Sequence, residues 1–336
     1  MLHPRLLIAG RLYRQYTLLP DGGARLDVPG GNLLYAAAGA RLWEEAPIGL
    51  LARISADYPE DWLQDWEKHN LDTRGIHRAT QTFEQRFFLA YSDRQTRHTD
   101  DPIRHFARRG MPFPPSLLGY SPPEKDLDSR TQLAPISIRQ GDIPADYLDA
   151  RGVHICPIDY LTHNLLPATF HQANVQTVTL DPSRGYMNPT FWEQIPTIVT
   201  GLTAFLPSED ELRALFQGRS EDLWEMAAAI ASYGCDIVVI KRGRGGQWVY
   251  DAASHKRWEI PAYPSREMDP TGAGDAFAGG LLAAFCRTFD PLEAALYGNV
   301  AASLTIEGSD PFYALDALPG LAQARLETLR TEVHQR

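Results

Sequence analysis

DPTGAGDAF, residues 269–277, is the stretch on which the reading of this 336-residue chain turns. A run of small turn-formers ends in an aspartate and passes straight into the apolar AFAGGLLAAF, which marks the start of a helix. The first turn of any helix leaves backbone N–H groups unpaired at an electropositive end. Gly272 and Gly274 carry no side chain, so an anion can approach those N–H groups closely. Asp275 puts a carboxylate beside the same anion, where a hydroxyl nucleophile must lose its proton in an in-line phosphoryl transfer. The bland alternative is a glycine turn in which Asp275 merely favours the helix dipole. Against it, Gly279 and Gly280 lie inside the helix and each costs about 1 kcal/mol relative to alanine, so helix stability did not select this sequence.

Composition bounds what such a site can serve. With 44% hydrophobic and 22% charged residues the chain has the profile of an ordinary folded protein. A net charge of −10 provides no positive field to gather nucleic acid or an acidic membrane, leaving small anions to be met by local arginines. Cys156, Cys235 and Cys286 are far apart and form no CxxC or Cys/His ligand pattern, which suits a reducing cytoplasm. The apolar run near the N-terminus is too short for a secretory signal and reads as a first strand, and no run of 18 apolar residues predicts a membrane span.

Working outward from the motif, apolar runs at 5–9, 48–52, 152–158, 175–183, 203–208 and 236–243 alternate with helix-forming stretches at 36–43, 209–216 and 221–234. Strands alternating with helices predict an α/β fold: one domain over 1–336, with a doubly wound, mostly parallel sheet. Its binding crevice belongs at the carboxyl ends of the strands. Residues 11–31 and 82–100 break the alternation and read as exposed antiparallel strands of a small β-flap, a lid. The insert at 101–135 contains Pro102, Pro112, Pro114, Pro115, Pro122, Pro123 and Pro135, which excludes regular structure throughout and predicts a loop near the active-site mouth, the alternative being a neutral surface insertion. Flap strands expose edges and apolar area, so a homodimer through the flap is a reasonable expectation.

At Asp269, Thr271, Gly272, Ala273, Gly274, Asp275 and Phe277, with Gly280 following, the chain resembles the ribokinase, or PfkB, family of carbohydrate and nucleoside kinases, whose signature is D-x-T-G-A-G-D-x-F. The order of elements agrees with that family from residue 6 to about 308. The resemblance implies ATP and Mg²⁺ as cofactors, Asp275 as the catalytic base, and the amides of Ala273, Gly274 and Asp275 as the anion hole. PSEDEL at 207–212 resembles the N-x-x-E magnesium motif, with Glu211 in the glutamate place and Ser208 replacing asparagine. KRGRGG at 241–246 resembles the T-L-G-x-x-G turn beside the nucleotide: Gly243 and Gly246 match, and Lys241 replaces threonine. Asn299 resembles the asparagine next to the adenine ring. Asp269 and Thr271, with the 305–309 loop, occupy the region where relatives bind a monovalent cation such as K⁺.

The acceptor side departs from the pattern. PGGNLLYAAAGARLW at 29–43 supplies Gly30, Gly31 and an alanine-rich helix, but Leu34 or Tyr35 lies where a second asparagine belongs, with Asn32 nearby. The aspartate expected five residues after Gly10 is Gln15. A vicinal diol is best gripped by a carboxylate accepting two hydrogen bonds, so an amide there argues against a plain ribose-like acceptor. Arg11, Arg14 and Arg86 fall near the flap, and arginine forks match carboxylates and phosphates, which predicts an acidic or phosphorylated sugar or a related anionic polyol; the alternative is that they are solvated faces of edge strands.

No HExxH spacing and no G-x-x-x-x-G-K-[ST] is present, which speaks against a zinc enzyme and a P-loop kinase. Two functions remain. One is an ATP-dependent kinase transferring the γ-phosphoryl group to a hydroxyl of a small metabolite. The other is a nucleotide-binding scaffold of the same fold without sugar kinase activity, which the altered acceptor side favours and the intact Asp275 motif opposes.

Overall fold

The structure is a computed structural model that describes residues 3–93, 96–122 and 128–336. Residues 94 and 95 of the flap stretch and 123–127 of the insert, Pro123 among them, lie outside the described residues.

Among the described residues the main sheet has ten strands. Across it run His334–Gln335, Arg257–Ile260, Gln247–Asp251, Ile237–Lys241, Ala204–Phe205, Thr177–Leu180, Gly152–Ile155, Leu6–Ala9, Ile48–Ile54 and Leu71–Arg78. Every pair from Ile237–Lys241 to Leu71–Arg78 is parallel, whereas the three outermost pairings on the other edge are antiparallel. The central strands are buried along their whole length, as expected of strands covered by helices on both faces. The expected doubly wound, mostly parallel α/β sheet is therefore present, with an antiparallel edge.

The glycines of the motif helix, Ala273–Thr288, have a packing explanation that its sequence does not announce. A Cβ on Gly279 would overlap the Ala36 carbonyl of the helix Asn32–Arg41, and one on Gly39 would overlap the Ala276 carbonyl in return. Gly280 gives the same close approach to Gly298 and Ala301 on the helix Pro291–Thr305. The two interior glycines therefore serve helix–helix contact and carry no weight for phosphate binding. They do hold the N-terminus of the motif helix rigidly over the carboxyl ends of the central strands.

A second sheet of four strands forms the flap, in the order Ala24–Gly30, Tyr13–Leu18, Arg86–Tyr91, Arg97–His98. It is mixed, not antiparallel throughout: Tyr13–Leu18 and Arg86–Tyr91 run parallel. A bulge opposite Gln15 and Tyr16 leaves Asp27 with φ 55°. Alternation splits the residues between two faces. Gln15, Thr17, Leu89 and Tyr91 look toward the body, where Tyr91 Oη lies 2.9 Å from Thr271 Oγ1. Tyr16, Leu18, Phe88 and Ala90 look away and form a separate small core with Phe106 and Leu117.

Phe106 and Leu117 belong to the proline-rich insert, so its first part, to about residue 120, covers the outer face of the flap, while Arg130 farther along packs over Phe191 and donates to the Thr190 carbonyl. The insert is also partly regular, with a helix at Pro102–Arg108 that is capped by Asp101 and carries Pro102 at its first position. Arg109 Nη2 donates to the Tyr91 carbonyl at 2.7 Å, and Arg86 Nη1 donates to the carbonyls of Ser116 and Leu118 at 2.8 and 3.0 Å. The apolar outer face of the flap is thus covered by the chain itself, so a homodimer through the flap would have to use strand edges or the exposed Ile103 and Leu118 of the cover.

Candidate active site

The carboxyl ends of the neighbouring strands Thr177–Leu180, Ala204–Phe205 and Ile237–Lys241, with the N-terminus of the motif helix, bring together many of the residues singled out in the sequence. Gly272 is the N-cap of the motif helix, with φ 78°, and a Cβ there would enter the Tyr35 ring. Only glycine meets both demands. Helical turns then place the amides of Ala273, Gly274 and Asp275 at the electropositive end. An ideal Cβ on Gly274 would lie 3.5 Å from Lys241 Nζ, so the lysine ammonium reaches the same end.

Lys241 closes the strand Ile237–Lys241 and its Nζ donates to the Asp181 carboxylate, which follows the strand Thr177–Leu180. Glu211 stands close by in the helix Glu209–Leu215. The S-x-x-E pattern of 208–211 is first of all a capping box: Ser208 N and Oγ donate to Glu211 Oε2 at 2.8 and 2.7 Å. The local rule that starts the helix also fixes one oxygen of Glu211, while Oε1 faces the site 3.9 Å from Arg184 Nε.

Three carboxylates therefore converge on one ammonium. Burial pushes Asp275 up to about 6, with Lys241 and Arg97 drawing it down and Glu211 pushing it up. A carboxylate titrating there is well matched to accept a proton near neutral pH. Burial likewise raises Asp181 despite the hold of Lys241. Burial lowers Lys241, but Asp181, Glu211 and Asp275 outweigh it, so the lysine keeps its proton.

Beside this cluster opens a cavity of about 970 Å³ whose walls include Lys241, Gly243, Ala273, Gly274 and Asn299. The volume suits a nucleotide. Asn299 lines it with its polar groups already committed: Nδ2 donates to Gln247 Oε1 and the Pro261 carbonyl, at 2.7 and 2.8 Å, and Oδ1 accepts from Tyr263 N at 3.0 Å. It braces the 261–263 segment that forms the cavity wall. Gly246 is outside the lining and serves the turn, since its φ of 79° and its contact with the Ile260 carbonyl admit no Cβ.

The acceptor-side residues are divided. Gln15 is buried against Gly30 and its Nε2 donates to Thr17 Oγ1 at 2.9 Å. Gly31, at φ 117°, passes close to the Arg11 carbonyl. Asn32 is engaged at both ends, accepting from Arg11 N and donating to the Pro157 carbonyl, each at 2.7 Å. It therefore ties strand ends together. Leu34 is core, whereas the Tyr35 ring lies on Gly272, which puts Tyr35 beside the motif helix N-terminus.

The expectation that three arginines face an anionic acceptor needs correction. Arg14 lies on the outer parity of the flap and is paired with Asp27 through two hydrogen bonds of 2.8 and 2.6 Å. Arg86 is bound in the same way to Glu84, at 2.8 and 2.6 Å. Both charges are neutralised by local carboxylates. Arg11 differs: its Nη1 donates to Tyr13 Oη at 3.2 Å, its Nε is buried without a partner, and no carboxylate pairs with it among the described residues.

Asp269 is buried and accepts from Thr271 N at 2.9 Å, while Thr271 Oγ1 meets Tyr91. Sequence reading missed Asp181, Tyr91 and Arg25. Asp181 had a usable signal, since it ends a buried strand at the crevice where the fold places ligands. Arg25, which reaches from the flap to Asp310 at 2.8 Å, had none.

A nucleotide-sized cavity, a helix N-terminus with unpaired amides and a carboxylate poised near neutrality lie side by side, an arrangement chemically able to serve phosphoryl transfer. The chain belongs to the pfkB family of carbohydrate kinases, whose pattern matches residues 144–316, and it is a phosphotransferase. It is 29% identical over 289 residues to the cytidine kinase of Thermococcus kodakarensis, covering 84% of this chain and 88% of that protein. Among solved structures, an E. coli ribokinase II in complex with ATP and Mg²⁺ superposes with a TM-score of 0.68 at 18% identity, over 98% of this chain and 99% of that one. The aminoimidazole riboside kinase of Salmonella enterica, complexed with aminoimidazole riboside and an ATP analogue, gives 0.66 at 17%, over 96% and 99%.

Proposed function

We propose that the chain transfers the γ-phosphoryl group of ATP to a hydroxyl of a nucleoside, with Asp275 as general base. The observation that carries the reaction is the placement of Asp275 at the motif helix N-terminus beside Lys241. As the acceptor oxygen attacks phosphorus, the bond to the β-phosphate oxygen breaks, the hydroxyl proton passes to Asp275 and ADP leaves. The amides of Ala273, Gly274 and Asp275 stabilise the charge that develops, and Lys241 exchanges its carboxylate partners for phosphate oxygens.

Mg²⁺ fits the oxygen donors present, since Glu211 Oε1 and the Asp181 carboxylate face the site and Mg²⁺ keeps several waters alongside one or two carboxylates. Bound there, it would neutralise phosphate charge. K⁺ fits less well at Asp269 and Thr271. Their polar groups are engaged by Thr271 N and Tyr91, and the Arg25 charge acts on Asp269.

For the acceptor, the body-facing side of the flap presents Tyr13 and Phe87 as a half-buried stacked pair with ring centroids 5.1 Å apart. Such a pair offers a base a stacking surface worth about 1–3 kcal/mol. The unpaired guanidinium of Arg11 favours a second reading, an anionic sugar. Phosphate transfer from ATP should be measured across nucleosides, neutral sugars, sugar acids and sugar phosphates with wild type and Asp275→Asn. Fastest turnover on a nucleoside, abolished in the variant, supports the proposal. Preference for sugar acids or phosphates transfers the assignment to the second reading. Nucleotide binding without turnover on any acceptor returns the chain to the scaffold hypothesis.

A further inference from the structure

We propose that His98, Asp100 and His105 form a three-ligand zinc site, its fourth position taken by water, that clips the flap to its proline-rich cover. One ligand atom from each of the three lies within 4.8 Å of the others. A tetrahedral zinc ion separates its ligand atoms by roughly 3.3 Å, so binding asks only for rotamer-scale movement of partly exposed side chains.

The backbone brings the three together for local reasons. His98 ends the flap's edge strand, paired with Ala90. Asp101, in a left-handed conformation at φ 46°, turns the chain and caps the next helix by accepting from Arg104 N, which commits that carboxylate and leaves Asp100 free to face the histidines. One helical turn on, His105 packs its ring 5.0 Å from that of His98 and 5.8 Å from that of Phe88.

Two imidazoles and one carboxylate are a set for zinc and its neighbours, not for the Mg²⁺ of phosphoryl transfer, which prefers oxygen. The pairing of His98 with Ala90 puts the cluster on the outer parity of the flap, with Phe88 and away from Gln15 and Tyr91. An ion there joins the flap edge to the insert and takes no part in the chemistry.

The test uses the full chain stripped with chelator and returned to Mg²⁺ buffer. Calorimetric titration with zinc chloride should show one equivalent bound at micromolar affinity or tighter, with a rise in melting temperature. His98→Asn and His105→Gln should each weaken binding by about 100-fold and abolish that rise, while circular dichroism and turnover with Mg²⁺ and ATP stay at the wild-type level. Wild type that binds no zinc, or a double variant that still binds one equivalent, overturns the site. Zinc binding and the melting temperature are read without any acceptor, so failure here is separable from failure of the nucleoside assignment.

Discussion

Replacing Asp275 by asparagine should make the protein more stable and nearly inactive at the same time. In the folded chain the carboxyl titrates near 6 against an ordinary 3.8. That displacement corresponds to about 3 kcal/mol in favour of the neutral form, and partial exposure reduces the usable share to about 1–2 kcal/mol. The sign follows from the direction. An acid with a raised folded pKa destabilises the fold above that pKa, and the penalty disappears as pH falls toward the unfolded value. Asp275→Asn should therefore gain about 1–2 kcal/mol in urea unfolding at pH 8 and nothing near pH 4. Its kcat/KM should drop by about 100- to 10,000-fold, the range for loss of a general base. In wild type, kcat/KM should fall on the acid side with a midpoint near 6. An asparagine variant whose stability gain is the same at pH 8 and pH 4, or negative at pH 8, would refute the reasoning, because burial of a charge would not be the cause.

Lys241→Met removes the cation that draws Asp275 down, so the acid midpoint of kcat/KM should move above 6 and the KM for ATP should rise. Gly272→Ala should cost about 2 kcal/mol or more in thermal or urea unfolding, because a left-handed N-cap and contact with Tyr35 both exclude a methyl group. Arg14→Ala breaks an ion pair on the outer parity of the flap; stability should change by no more than about 1 kcal/mol, and kcat/KM for the acceptor should be unaltered. Turnover in KCl and NaCl of equal ionic strength should be the same, given the internal partners of Asp269 and Thr271.

The parallel core and the local geometry around Ser208, Glu211 and Gly272 were legible because their signals are local. A buried strand, a capping box at Ser208 and Glu211, and a glycine N-cap before Asp275 each follow from a few adjacent residues. Gly279 was misread because its reason, the Ala36 carbonyl, lies on a helix some 240 residues earlier in the chain. Arg14 and Arg86 were misread for a related cause. Sequence places them beside the crevice, but strand parity and the carboxylates of Asp27 and Glu84 decide where their charges go. The insert illustrates the limit from the other side. Its prolines suggested irregular structure throughout, yet Pro102 opens a helix, and Phe106 and Leu117 choose their partners across a sheet whose faces no local pattern in the insert can identify.

The outer core of the flap has a kinetic and regulatory corollary. Because Phe106 and Leu117 are joined to Phe88 by fewer than 30 residues of chain, the cover meets its sheet at an effective concentration on the order of millimolar. A flap finished by a second subunit would lose its cover on dilution to nanomolar protein. This one carries its own, so its integrity is insensitive to cellular abundance, and any control over the lid has to act on the tether instead of on assembly.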